Sequence, residues 1–216
     1  MVIIVGKSYK KNEVRDVDKG VRYEVSAFKS KKEIEKVKRY LMGKENKRDY
    51  ALFVLGINVG LRAQDLVTLK VGDISRSKQT IVKKAQIIEQ KTLKLRTIEI
   101  NNVTADALKV YLGSLPTYDE NAWLFPSRKG SDHISVDAVR DIIKLICKEL
   151  NIKGNYGAHS LRKTFGYWVY ISNVQKNPLV LVTLQKMFNH TTQATTLRYI
   201  GIDSEEISNI YLTLNI

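Results

Sequence analysis

One cysteine among 216 residues leaves no internal disulfide to form. Cys147 lies in the apolar run IIKLIC at 142–147, where a buried core thiol is expected rather than a reactive one. Three prolines, twelve glycines and a 44% apolar content exclude a fibrous or disordered chain. No stretch reaches the roughly 18 uncharged apolar residues that a spanning helix needs, so no membrane contact is expected. The N-terminal MVIIVGKSYKK carries its positive charge after a short apolar run, the reverse of a secretory leader, and the expected setting is a reducing cytoplasm. Histidines number only three, and no His, Cys or carboxylate cluster stands at ligand spacing, so neither a metal nor another cofactor is expected. Acidic residues are scarce as well. The 22 Asp and Glu against 36 Lys and Arg give a formal charge of +14, which points to a polyanionic partner, nucleic acid first.

The length fits one large domain or two small ones at roughly 100–200 residues each. Residues 1–50 hold 15 basic and 8 acidic groups and residues 51–100 hold 9 and 4, so the excess lies in the first hundred. Periodicity is mostly helical. Ser30 and Glu33 form a capping-box pattern before Ile34, Val37 and Leu41 on one helix face. Asn46 opens a second helix through YALFVLGINV, and Gly60 ends it where a left-handed cap is wanted. A short third helix covers AQDLVTLK. Residues 80–89 and 95–100 read as two strands joined by the basic connection QKTLK. Helices are predicted again at 103–115, 135–150, 160–173 and 178–188, with Asn102 or Thr104, Ser135 and Asn177 as caps. The segment WLFPSRKGS reads as a short extended piece followed by a loop. The fold class is α+β, mainly α-helical, with a small antiparallel sheet.

His159 and Arg162 in AHSLRKTFGYW are three residues apart and so share a helix face, from which both can donate to one phosphate. His190 stands nine residues before Tyr199 in MFNHTTQATTLRY. A tyrosine hydroxyl with an ordinary pKa of about 10 attacks poorly unless cations or a base favour its phenolate. Arg62 in NVGLRAQDLVTL follows the helix end at Gly60 and can point across a cleft, with Asp65 three residues on to orient it. Lys91, at the tip of the predicted hairpin, is a cation placed to reach into a groove or deliver a proton. Taken singly, each has a plainer reading: an Arg62–Asp65 surface ion pair, structural roles for both histidines, and one tyrosine among eleven. His133, in KGSDHIS, fits no such pattern and reads as structural or exposed.

Together these segments resemble the tyrosine recombinases, the family of the phage integrases. The resemblance covers roughly residues 25–210 and rests on five motifs in order: GLRAQDLVTLKVGDI, QKTLKLRTIEI, WLFPS, AHSLRKTF and FNHTTQATTLRYI. It implies a site-specific DNA recombinase that cuts and rejoins double-stranded DNA through a covalent 3′-phosphotyrosyl bond without ATP. Tyr199 would be the nucleophile. Arg62, Arg162 and His190 would bind the non-bridging oxygens, His159 would help take the tyrosyl proton, and Lys91, with Lys94 as its nearby alternative, would protonate the leaving 5′-oxygen. Asp65 would support Arg62. Residues 1–25 would be an N-terminal extension and 26–216 the catalytic domain, including a C-terminal tail helix.

Two departures stand out. The family usually has glycine before the last histidine, where Asn189 stands here; asparagine tolerates left-handed backbone. Typical members also carry a helical core-binding domain ahead of the catalytic one, so this chain resembles the short, catalytic-domain-only members or a fragment. In the tail, Ile207, Ile210, Tyr211 and Leu214 recur at helical spacing, and the resemblance implies self-association through it, as a tetramer on paired sites, with DNA-bending accessory proteins as further partners. The competing functions are a type IB topoisomerase-like relaxer and a non-catalytic DNA-binding accessory protein of the same fold.

Overall fold

The computed structural model describes residues 24–202; the N-terminal extension and the tail helix lie outside them, apart from residues 24 and 25. The order is α1 (Lys31–Gly43), α2 (Lys47–Val59), α3 (Ala63–Val67), α4 (Val71–Ile74), β1 (Lys84–Ile88), β2 (Leu95–Glu99), α5 (Asn102–Gly113), α6 (Val136–Glu149), α7 (Ala158–Asn173), α8 (Val180–Phe188) and α9 (Gln193–Ile200). Among the described residues no helix is long and apolar enough to cross a membrane.

Local chemistry explains the boundaries. Ser30, Asn46 and Ser135 each accept a backbone N–H three residues on and open α1, α2 and α6, as predicted. Gly60 closes α2 at φ +61°, and an added Cβ would stand 2.2 Å from the Phe165 ring, so glycine is required there on both counts. The predicted third helix, 63–70, ends early at Val67, and the short α4 that follows at Val71–Ile74 was not predicted. The first strand is shorter than predicted, because Ile81 makes only an isolated bridge to Ser75. Asn101 caps α5 in place of Asn102 or Thr104, and α8 begins at Val180, with Asn177 accepting the Leu179 N–H ahead of it. Helix α7 starts two residues earlier than predicted, which puts His159 in its first turn.

Helix α2 is the hub of the main core, buried from Ala51 through Gly56 and packed against α1, α5 and α7. A smaller cluster of Val180, Leu184, Phe188, Ile200 and Ile202 joins α8 and α9 to the second half of α7. The strands pair antiparallel from Lys84↔Glu99 to Ile88↔Leu95. An extended segment crosses α7, where the Phe28 N–H donates to Thr164 Oγ1 at 2.8 Å and Trp168 Nε1 donates to Phe28 O at 2.9 Å.

Helix α7 thus spans both clusters, with Arg162 near their seam. Gly166, one turn further on, lets α8 and α9 approach: a methyl there would meet Ile200 Cγ2 at 2.6 Å and Phe188 Cε2 at 2.7 Å. Gly166→Ala is expected to cost about 1–3 kcal/mol by overpacking, read as a lowered thermal midpoint, and to shift α9 with its tyrosine.

Candidate active site

Beyond Gly60 the chain turns back through buried Leu61, and Arg62 adopts extended backbone at the head of α3. Its Nη1 lies 2.7 Å from Glu89 Oε2 and 4.0 Å from Asp65 Oδ2. The Glu89 contact is a close ion pair rather than an aligned hydrogen bond, for Arg62 Nη1 and Asp65 Oδ2 are buried atoms with no hydrogen-bond partner among the described residues. The side chain as a whole stays 22% exposed, so the guanidinium can still present its open edge to an anion. The sequence paired Arg62 with Asp65; the nearer carboxylate is Glu89, and the bonded oxygen of Asp65 accepts the Gln90 N–H at 2.8 Å.

Arg162 is 4% exposed, an unusual place for a guanidinium. Its Nη1 donates to Gly60 O at 2.7 Å and its Nη2 to Phe188 O at 3.2 Å, with the group 4.4 Å above the Phe188 ring. Burial pulls its pKa down to about 10, which still leaves it charged at neutral pH. No carboxylate bonds it among the described residues, so its charge is held by neutral carbonyls and a ring face.

Helix α8 ends after Phe188 with Asn189 in the left-handed region at φ +56°, the turn anticipated for an asparagine in place of glycine. His190 follows, its N–H donating to Gln185 O at 3.0 Å and its Nδ1 lying 3.1 Å from Thr196 Oγ1. Helix α9, which periodicity did not reveal, carries Tyr199 against both residues, with ring centroids 5.1 Å from His190 and 5.4 Å from Phe188. Lys163 Nζ stands 5.2 Å from the Tyr199 ring centroid and pairs with Glu24 at 3.2 Å. Burial raises the pKa of Tyr199 against the opposing pull of Arg162 and Arg62. Both histidines titrate below their ordinary range: His190 through burial, Arg162 and Arg62, and His159 through burial, Arg162 and Lys163. A neutral imidazole at physiological pH can accept a proton.

Arg62, Arg162, His190 and Tyr199 are thus brought together, and His159 lies on the exposed side of α7 within electrostatic reach of Arg162. Lys91 is exposed in the turn between the strands and pairs with no described residue; Lys94 stands at the base, where its carbonyl accepts the Glu89 N–H at 3.0 Å. His133 is remote from these residues in its contacts, packed edge-on to Trp123 with Nδ1 2.8 Å from Ile134 O.

Sequence reasoning passed over Glu89, Arg96, Phe188 and Lys163. For Glu89 a signal existed: Ala85, Ile87 and Glu89 follow one another at a period of two on the buried side of the strand, and a carboxylate in that phase requires partners.

A sequence model of the phage integrase family matches residues 28–206. The chain is 33% identical to the probable integrase/recombinase YoeC of Bacillus subtilis over 187 residues, covering 87% of this chain and 95% of that protein. It is also 33% identical to the tyrosine recombinase XerC of Caldanaerobacter subterraneus, covering 81% of this chain and 47% of the relative, and so spans about half of that protein. Among solved structures, XerA recombinase matches in fold with a TM-score of 0.66 at 20% identity, covering 89% of this chain and 67% of that one. XerH recombinase in a post-cleavage complex on palindromic difH matches at 0.60 and 18%, covering 85% and 51%. With a match that runs from the first described helix through the helix that bears Tyr199, the chain belongs to the phage integrase family, the tyrosine recombinases that cleave and rejoin DNA.

Proposed function

We propose that Tyr199 attacks a backbone phosphate of double-stranded DNA while Arg62, Arg162 and His190 hold the non-bridging oxygens. The observation that carries this reading is the convergence of two guanidiniums and an imidazole on one half-buried tyrosine. The tyrosyl oxygen forms the new P–O bond and loses its proton, with neutral His159 as acceptor. The bond to the 5′-oxygen breaks, and that oxygen takes a proton from Lys91. The cations bind the charge that grows on the non-bridging oxygens of the five-coordinate phosphorus, the task an oxyanion hole performs in acyl transfer. The phosphotyrosyl ester keeps the energy of the broken bond, so rejoining to a different 5′-hydroxyl needs no nucleotide cofactor. The charge of +14 favours a DNA partner without selecting a sequence. In the cell this reading puts the protein on cytoplasmic DNA, assembling as a tetramer on paired sites through its tail and accepting help from DNA-bending proteins.

The test is a nicked duplex that carries a candidate site and traps the cleaved state. The expected product is a protein–DNA adduct that survives boiling in detergent and leaves a free 5′-hydroxyl on the other fragment. An adduct with the opposite polarity, or none with any site-bearing duplex, overturns the reading.

A further inference from the structure

We propose that Glu89 is a positioning residue that locks the Lys91 turn onto Arg62, so that one carboxylate sets both the phosphate-binding and the proton-donating arms. This rests on the strand-cleavage reading above. Glu89 lies just past the end of β1, 6% exposed, and is reached from three directions. Arg62 Nη1 approaches Oε2 at 2.7 Å from the head of α3, Arg96 Nη1 donates to Oε1 at 3.3 Å from β2, and Thr92 Oγ1 donates to Oε2 at 2.7 Å from the turn itself.

The backbone of the turn closes on the same residue. The Glu89 N–H donates to Lys94 O at 3.0 Å and the Leu93 N–H donates to Glu89 O at 2.9 Å, while Asp65 Oδ1 takes the Gln90 N–H at 2.8 Å. The exposed Lys91 therefore rides on a loop fixed on either side, at Gln90 by Asp65 and at Thr92 by Glu89. The loop would otherwise be costly to order, since Leu93 sits at φ +54° and the residue is 79% exposed.

The charges require this carboxylate as well. Arg96 Nη2 reaches Gly60 O at 3.3 Å, the same oxygen that Arg162 Nη1 binds, so Arg62, Arg96 and Arg162 crowd one corner of the site. Burial would raise the pKa of Glu89, but Thr92, Arg62 and Arg96 outweigh it and bring it to about 2, so the carboxylate is ionised throughout the working pH range. A neutral group in its place leaves the guanidiniums to repel one another and the turn to drift. A displacement near 1 Å suffices to cost on the order of 100-fold in rate.

Two substrates separate positioning from damage to the fold. The first is an ordinary phosphodiester; the second carries sulfur at the bridging 5′ position, whose thiolate leaves without a proton and so bypasses Lys91. Glu89→Gln preserves the shape and removes the charge. It is expected to lower single-turnover cleavage of the ordinary substrate about 10- to 100-fold, with a loss on the sulfur substrate at least five times smaller, on the order of that for the Arg62 arm alone. Thr92→Val, which cuts only the tie to the turn, and Lys91→Ala are both expected to recover fully on sulfur, Thr92→Val after a loss of about tenfold on oxygen. Equal losses on both substrates, or no loss in either variant, overturn the positioning role while leaving wild-type cleavage intact. A wild-type protein that cleaves neither substrate overturns the strand-cleavage reading and this inference with it.

Discussion

Tyr199→Phe is expected to bind a site-bearing duplex as tightly as the parent protein and to form no covalent adduct at all. The hydroxyl is the only atom removed. The ring keeps its edge contacts with His190 and Phe188 and its place under Lys163, so the fold should lose no more than about 1 kcal/mol. What disappears is the nucleophile, and the adjacent guanidiniums stabilise negative charge but cannot attack phosphorus in its place. A denaturing gel reads the adduct and a mobility shift reads the binding. The same gel, run across pH, tests the proton path. Since burial keeps Tyr199 protonated at neutral pH, attack depends on a base, and since burial and Arg162 push His159 below its ordinary range, wild-type cleavage should stay level through neutral pH, where the imidazole is already neutral, and fall only as pH drops below the ordinary histidine range. Adduct formation by Tyr199→Phe would assign the nucleophile elsewhere.

The nucleophile lies on the helix that sequence patterning missed, and the reason is physical. Gln193–Ile200 reads QATTLRYI, two turns rich in β-branched residues that bury only Thr196 and Ile200, too short and too polar for a helical stripe to emerge. It is held by the Thr192 cap and by packing on α7 and α8, which are tertiary effects. The helices that were legible carry their own punctuation: Ser30, Asn46 and Ser135 at their starts, and Gly60 at a turn where only glycine clears Phe165. The basic motif residues could be singled out because each has a sequence neighbour of matching chemistry, His159 with Arg162 or Arg62 with Asp65. Glu89 has no charged sequence neighbour of that kind: its arginine partners come from 27 residues back, at the head of α3, and 7 ahead, on β2, a convergence that the tertiary fold creates. Its alternation with Ala85 and Ile87, carried one residue past the end of β1, hints at burial, and the fold supplies the partners.

Arg162→Lys keeps a positive charge and should nevertheless lower single-turnover cleavage by a factor on the order of 10³, near the upper range for losing one transition-state donor. The guanidinium does three things at once: one arm bonds Gly60 O, the other bonds Phe188 O, and the charge faces Tyr199. A lysine ammonium is a point charge on a flexible stem and cannot span two carbonyls from two helix ends while presenting a planar edge to a phosphate. One carbonyl loses its shorter bond and keeps only a longer one, from Arg96 Nη2 at 3.3 Å for Gly60 O or from Arg62 Nη2 at 3.5 Å for Phe188 O, which loosens the join between α2 and α8 that sets Arg62 and His190 around the tyrosine. The surroundings compound the loss. Burial already brings the arginine down to about 10, and a group that starts from lysine's lower ordinary pKa is pulled toward neutrality in the same place. The deficit of the variant should therefore widen as pH rises through the range where the buried ammonium gives up its proton, whereas wild-type cleavage stays level there. Cleavage within tenfold of the parent at every pH would mean that the charge alone matters at this position, and that the two-carbonyl clamp does not set the site.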